Sequence, residues 1–309
     1  MAALRSSGWS IGLFVALPED GPKNPKTANL IIRPGVGGLR HGGESHSTFG
    51  AAGRNELEID VIDGAGEFTL GDGPTSVLMI HGFTGSPQGL RGLGEYLAER
   101  GLAVTGVRLP GHGTTWEDLN TRMSADWIKT VEDGYARAAD GRDEVFIVAL
   151  SFGAALAVDF VARHPEWIAG LVTLGGFFRT TDPRRFFAPL IRFVTKSVPG
   201  VANDIADPEG HEIAYDRFPT AAGHSMLRFT RRARKQLPLV RCPILVMHGR
   251  NDHTVEPLNA TTIYDSVSST DKELYWCERS YHVITLDYDR VEVYKRTHEF
   301  IRAHSRRNG

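Results

Sequence analysis

Residues 144–161 read EVFIVALSFGAALAVDFV, and the change of pattern at Ser151 decides the architecture. Before it, Val145–Leu150 is an apolar, β-branched run without polar alternation, the composition of a strand buried on both faces. After it, Ala155, Leu156, Val158 and Val161 recur at helical spacing until His164-Pro165. A chain that turns from buried strand to helix this abruptly needs small residues around the turn, and Ala149 and Gly153 supply them. Such a turn lifts the Ser151 hydroxyl clear of the sheet. It also leaves the Phe152 N–H at a helix N-terminus, where it can stabilise an anion. Taken alone, Ala149–Gly153 is equally compatible with a serine that merely caps a helix.

Outward from this turn, further strand runs occur at Leu57–Ile62, Glu67–Leu70, Val77–His81, Ala103–Arg108, Gly170–Leu174, Pro243–His248 and Glu273–Cys277. Helical patterns separate them. Ser86 can cap, and Pro87 open, a helix carrying Leu90, Leu93, Tyr96 and Leu97 and stopped by Gly101. Ser124 can cap a second helix with Trp127, Ile128, Val131 and Tyr135 on one face, and a last helix near Asp289–Ala303 shows Val293, Tyr294, Thr297 and Ile301. This alternation predicts an α/β fold: a mainly parallel sheet covered by helices on both faces. Between Gly176 and about Thr220 it stops. Phe177, Phe178, Phe186, Phe187, Leu190, Ile191, Phe193 and Val194 crowd together there, with no further strand expected, and the segment reads as an insertion over the sheet.

The chain of 309 residues is 41% hydrophobic and 23% charged, which excludes wholesale disorder. Its 35 Lys+Arg against 37 Asp+Glu leave a net charge of −2, without the basic excess of a dedicated nucleic-acid binder. No apolar run approaches the roughly 18 residues of a membrane span. Residues 1–66 show weak periodicity and a Gly-, Ser- and His-rich stretch from Gly35 to Gly53, so they read as an extension before a domain at 67–309. Arg5 followed by the apolar patch Trp9–Leu17 lacks a small-x-small cleavage site, so a cytoplasmic location is expected, with secretion left open. Cys242 and Cys277 would lie at opposite ends of adjacent parallel strands and are expected as free thiols. No Cys/His cluster has metal-ligand spacing, so no metal site is expected; no cofactor is expected either. A monomer or homodimer is expected.

The chemistry falls just beyond strand ends, where ligands bind in a parallel sheet. Leu245–His248 is a buried strand, then come Gly249 and the acid Asp252; Tyr281-His282 follows the strand ending at Cys277. The order Ser151, Asp252, His282 is the nucleophile, acid, base order of α/β-hydrolases. Nearby competitors fit less well. His248 reads as packing at a strand end, His253 is adjacent to Asp252 and hard to turn onto it, and Asp287 lies about a helical turn past His282. His81-Gly82-Phe83-Thr84-Gly85 follows another strand, and its glycine-flanked turn can aim the Phe83 N–H at the same point as the Phe152 N–H. His81 itself reads as structural.

The stretch HGFTGSPQGLRGLGEYLAERG (81–101), RLPGHG (108–113), ALSFG (149–153), HGRND (248–252) and ERSYHVITLD (278–287) resemble the bacterial monoacylglycerol lipase and carboxylesterase group of α/β-hydrolases, over roughly Gly73 to Arg302. The resemblance implies a serine esterase with a cap after the sixth core strand, at about 177–220, acting on monoacylglycerols and short- to medium-chain acyl esters. It implies Ser151 as nucleophile, His282 as base, Asp252 as its orienter, and Phe83 and Phe152 as oxyanion donors. Two departures stand out: Ala149 where the group usually has Gly, and Phe152-Gly153-Ala154 where it usually has Met-Gly-Gly. Partners are then a small acyl ester or monoacylglycerol, and at most a transient lipid surface. Arg231-Arg232-Ala233-Arg234-Lys235 reads as a solvated helix face. Activity on lactones, amides or carbon–carbon bonds would share the same triad, and a non-catalytic ligand-binding member of the fold is the alternative from another class.

Overall fold

Runs without polar alternation become strands without a solvent face. The computed structural model describes residues 59–181 and 188–306. Seven strands pair in one sheet: β1 (Phe68–Leu70), β2 (Thr75–Ile80), β3 (Ala103–Val107), β4 (Glu144–Leu150), β5 (Gly170–Leu174), β8 (Ile244–Gly249) and β9 (Lys272–Cys277). Every residue of β2, β3, β4, β5 and β8 is buried. The spatial order is β1-β3-β2-β4-β5-β8-β9, and all neighbours run parallel except β1, which is antiparallel to β3. Val148 stands opposite Met79 on one side and Val172 on the other, so β4 lies at the centre and its C-terminal end opens onto the middle of the sheet edge.

Helices cover both faces. α1 (Gln88–Ala98) and α8 (Arg290–His304) bury Leu90, Leu93, Leu97, Val293 and Phe300 against one face of the sheet. On the other, α3 (Ser124–Ala139), α4 (Phe152–Arg163) and α6 (Thr220–Gln236) bury Trp127, Val131, Leu156, Phe160 and Phe229. Each fully buried side chain of this size contributes roughly 1.5–3 kcal/mol relative to exposure, so the sheet is a rigid platform for the loops at its edge. Shorter helices α2 (Trp116–Leu119), α5 (Ala188–Val194) and α7 (Leu258–Ser266) complete the described elements. Among the described residues no helix is long and apolar enough to cross a membrane. Cys242 and Cys277 are free and buried, and the pairing of Ile244 with Lys272 and Gly249 with Cys277 sets them at opposite ends of β8 and β9.

Several local expectations are corrected. Residues 59–62 form no strand: Ile59, Val61 and Ile62 are exposed, and the Ile62 N–H donates to the Gly113 carbonyl at 2.8 Å instead of to a neighbouring strand. Residues 57 and 58, with the rest of the expected extension up to them, lie outside the described residues. Among the described residues, the strand before the insertion is the fifth in chain order. Ser86 does not cap α1. Pro87 is already helical, and the buried Ser86 hydroxyl finds no hydrogen-bond partner. Ser124 is the first residue of α3 rather than its cap, and Asp126 satisfies the Met123 N–H at 2.7 Å.

The segment between β5 and β8 contains a strand pair that its sequence hid. β6 (Ser197–Pro199) and β7 (Arg217–Pro219) pair antiparallel, each too short to show a period. Its aromatic residues also divide. Phe177 and Phe178 are buried in the core beneath, whereas Leu190, Phe193 and Val194 on α5 are exposed, and Phe186 and Phe187 lie outside the described residues. Arg231, Arg234 and Lys235 face solvent on α6, while the neighbouring Arg232 reaches Asp159 of α4 at 3.1 Å.

Candidate active site

Ser151 occupies the turn between β4 and α4 with φ 53° and ψ −118°, a conformation that costs a non-glycine residue about 1–3 kcal/mol. The neighbouring main chain holds it there. Its N–H donates to the Leu174 carbonyl at 2.8 Å, and its own carbonyl accepts from the Phe177 N–H at 3.1 Å. Two residues on, a Cβ at Gly153 would lie 2.3 Å from the Ile80 carbonyl oxygen and 2.8 Å from that of His81, so only glycine lets α4 start this close to the end of β2. Ala149 is fully buried in β4, where its methyl group is accommodated.

The loop after β2 lies beside this turn. His81 Nδ1 donates to the Gly82 carbonyl at 2.8 Å and Nε2 accepts the Leu109 N–H at 3.1 Å, a pairing that fixes a neutral ring. Burial pushes its pKa down to about 4, in keeping with a structural role. Thr84 follows at φ 68°, its hydroxyl donating to the Phe83 carbonyl at 2.6 Å. Among the described residues neither the Phe83 nor the Phe152 N–H has an acceptor. Phe152 packs edge-to-face against Trp127, Phe83 and Phe229, with ring centroids 5.3–6.0 Å apart.

On the other side, a Cβ at Gly249 would lie 2.0 Å from the Tyr281 carbonyl oxygen, so this glycine lets the loop after β9 close over the end of β8. The buried Asp252 is thereby brought onto His282: its Oδ2 accepts from His282 Nδ1 at 2.7 Å, while Oδ1 accepts the N–H groups of Thr254 at 2.9 Å and Val255 at 2.7 Å. A fourth donor was not foreseen. His248 Nε2 lies 3.0 Å from the Val255 carbonyl, so it carries the proton, and 3.1 Å from Asp252 Oδ2. Burial disfavours charge on Asp252, but the facing His282, with the two histidine hydrogen bonds, outweighs it and holds the carboxyl well below the usual range. Burial likewise opposes a charged His282, yet Asp252, together with Asp204 and Glu212, raises its pKa above the ordinary value.

The remaining competitors have other partners. His253 turns away to Asp204, its Nδ1 at 2.9 Å from Oδ1. Asp287 is fully buried and accepts the N–H groups of Ala206, Asp207, Tyr281 and Tyr288, which shapes the loop carrying His282.

Ser151, His282, Phe83 and Phe152 all line one cavity of about 200 Å³. Thr84, Ser151 and Asn203, the three described non-glycine residues with positive φ, line it together. The insertion adds Ile191, Val198, Val201 and Phe218, and two acids, Asp204 and Glu212. Burial pushes the Glu212 carboxyl up, and the charge of His282 pulls it partly back. Asn203, Asp204 and Glu212 belong to no motif that their sequence would reveal. Among the described residues no group of three or more His, Cys, Asp or Glu could hold a metal ion. A hydroxyl on a strained turn, a buried histidine oriented by a carboxylate, and two free amides make an arrangement suited to acyl transfer.

A family model described as serine aminopeptidase, S33 (Hydrolase_4) matches residues 74–289. The thermostable monoacylglycerol lipase of Bacillus sp. (strain H-257) is 34% identical over 250 residues, which are 80% of this chain and 98% of that protein. The carboxylesterase of Bacillus subtilis (strain 168) is 29% identical over 237 residues, 76% of this chain and 95% of its own. Among solved structures, one reported with the metagenome-derived lipolytic enzymes LipS and LipT superposes with a TM-score of 0.77 at 35% identity, covering 79% of this chain and all of that one. The architecture is the α/β-hydrolase fold.

Proposed function

The chain belongs to the serine aminopeptidase S33 (Hydrolase_4) family, and from that premise we propose that it is a serine carboxylic ester hydrolase whose substrates are short- to medium-chain acyl esters, monoacylglycerols among them. The observation that carries this reading is His282, held 2.7 Å from the buried Asp252 and lining the same cavity as the strained Ser151. The names of the two Bacillus relatives support the substrate class.

In this reading His282 Nε2 removes the Ser151 proton as Oγ attacks the ester carbonyl, and Asp252 stabilises the imidazolium that results. The carbonyl oxygen becomes an oxyanion held by the Phe83 and Phe152 N–H groups, each donor worth about 2.7–4 kcal/mol when removed. Collapse of the tetrahedral intermediate breaks the ester C–O bond. The alcohol leaves with the proton from His282, and the acyl group stays on Ser151. Water, deprotonated by the same histidine, then releases the acid and restores the hydroxyl.

The segment at about 177–220 is the cap. Its Ile191, Val198, Val201 and Phe218 offer the acyl chain an apolar wall. Glu212, whose carboxyl burial pushes up, gives the polar end of the substrate a hydrogen-bonding partner.

A panel of p-nitrophenyl esters from acetate to palmitate, with monoacylglycerols of matching length and aminoacyl p-nitroanilides, tests the reading. Ester hydrolysis with the highest kcat/KM at short to medium chains is expected, with negligible cleavage of the anilides. Turnover of anilides without turnover of esters would contradict it.

A further inference from the structure

One residue of the insertion grips both loops that carry the acid–base pair. The Asp204 side chain, 8% exposed, holds the stretch just after Asp252: Oδ2 accepts the His253 N–H at 2.9 Å and the Thr254 hydroxyl at 3.1 Å, and Oδ1 lies 2.9 Å from His253 Nδ1. Its main-chain carbonyl holds the other loop, accepting the N–H groups of His282 at 3.0 Å and Val283 at 3.2 Å. The turn that presents it is itself constrained. Asn203 sits at φ 57°, its carbonyl accepts the Ile205 N–H at 2.9 Å, and its Oδ1 accepts the Glu212 N–H at 2.7 Å.

We propose that Asp204 is a positioning residue for the triad: by clasping residues 253–254 with its carboxylate and residues 282–283 with its carbonyl, it sets the spacing of Asp252 and His282 and couples their alignment to the insertion. The proposal rests on the assignment of Ser151, Asp252 and His282 as the triad. Its physical basis is the steep dependence of catalysis on alignment, where a misplacement of about 1 Å can cost on the order of 10²-fold in rate. Because the same turn carries Asn203 and leads to Glu212, both lining the cavity, a substrate that shifts the insertion also shifts the acid–base pair.

The charges facing His282 are Asp252 from the loop after β8 and Asp204 and Glu212 from the insertion, and all three favour its protonated form. Asp204 in turn faces His253, and Asp252 faces His248. Removing the Asp204 charge therefore lowers the His282 pKa, and the neutral base persists to lower pH.

The test compares Asp204→Ala and Asp204→Asn with the unaltered chain in p-nitrophenyl butyrate hydrolysis from pH 5 to 9. D204A is expected to lose about 10- to 100-fold in kcat with KM little changed, and D204N less, because an amide oxygen still accepts from the His253 N–H. Both are expected to move the acid limb of kcat/KM to lower pH, which a residue that only shapes the insertion would not do. If D204A does not fold, the acid limb of D204N decides. Unchanged kcat and an unchanged acid limb would overturn the proposal. Failure of the triad assignment would look different: the unaltered chain would then form no fluorophosphonate adduct at Ser151.

Discussion

The ends of β2 and β4 and the ends of β8 and β9 meet at one cavity, yet they are held by different means. On the side of the proposed nucleophile the main chain does the holding: positive φ at Thr84 and Ser151, a glycine at 153 pressed against the Ile80 carbonyl, and amides at Phe83 and Phe152 that have no acceptor among the described residues. On the side of the proposed acid–base pair the holding is done by side-chain carboxylates, with Asp252 receiving four donors, Asp287 shaping the His282 loop and Asp204 reaching in from the insertion. Strain resides on one side and a hydrogen-bond network on the other. Substitutions should therefore fail differently on the two sides, abruptly and with loss of stability where backbone geometry is at stake, and gradually where one donor among several is removed.

The largest effect is expected for Ser151→Ala, which removes the proposed nucleophile and leaves the turn. Ester hydrolysis should fall on the order of 10⁶-fold, with no drop in melting temperature. Residual activity within tenfold of the unaltered chain would break the comparison at its origin. Asp252→Asn comes next, at about 10⁴-fold in kcat. The carboxylate no longer fixes the ring tautomer or stabilises the imidazolium.

The pH profile of the unaltered chain tests the same pair. The base works only when neutral, and Asp252 favours the charged ring, so kcat/KM should rise with pH through a midpoint above the unperturbed value of about 6.5. A midpoint below 6 would mean that burial outweighs the acid.

Gly153→Val sharpens the contrast, because it should lose both activity and stability. The added carbons meet backbone oxygen rather than a flexible side chain. A loss of about 10²-fold in kcat and about 3 kcal/mol in unfolding free energy is expected, read by ester assay and chemical denaturation. The smallest effect belongs to His248→Phe. It removes one of the four donors to Asp252 while the other three remain, so a fall of about tenfold in kcat with unchanged KM is expected. A loss as deep as that of D252N would show that the network hangs on this donor alone.

The same contrast explains what could be read from the sequence. Buried strands are legible because double-sided burial leaves an unbroken apolar run, and the run Gly170–Leu174 coincides with β5 to the residue. The turn at Ser151 was legible because the constraint is local: strand, serine, glycine and helix lie within a few residues. Leu57–Ile62 misled because an apolar run predicts burial only if a partner strand exists, and here residues 59–62 meet a loop carbonyl instead. The roles of Asp204 and Glu212 are not legible, since each depends on which distant segment the fold brings alongside, and that of His248 is hidden by a local turn. His248 lies near Asp252 in sequence, yet its contact with Oδ2 requires the chain to turn back through Val255. The strands β6 and β7 were missed for the opposite reason, being too short to carry any period.

Intact-mass measurement and peptide mapping after treatment with a fluorophosphonate address the nucleophile directly. One adduct per chain, located on Ser151, formed faster as pH rises and absent in S151A, is the predicted result. An unmodified chain, or an adduct located on any other residue, would contradict the account.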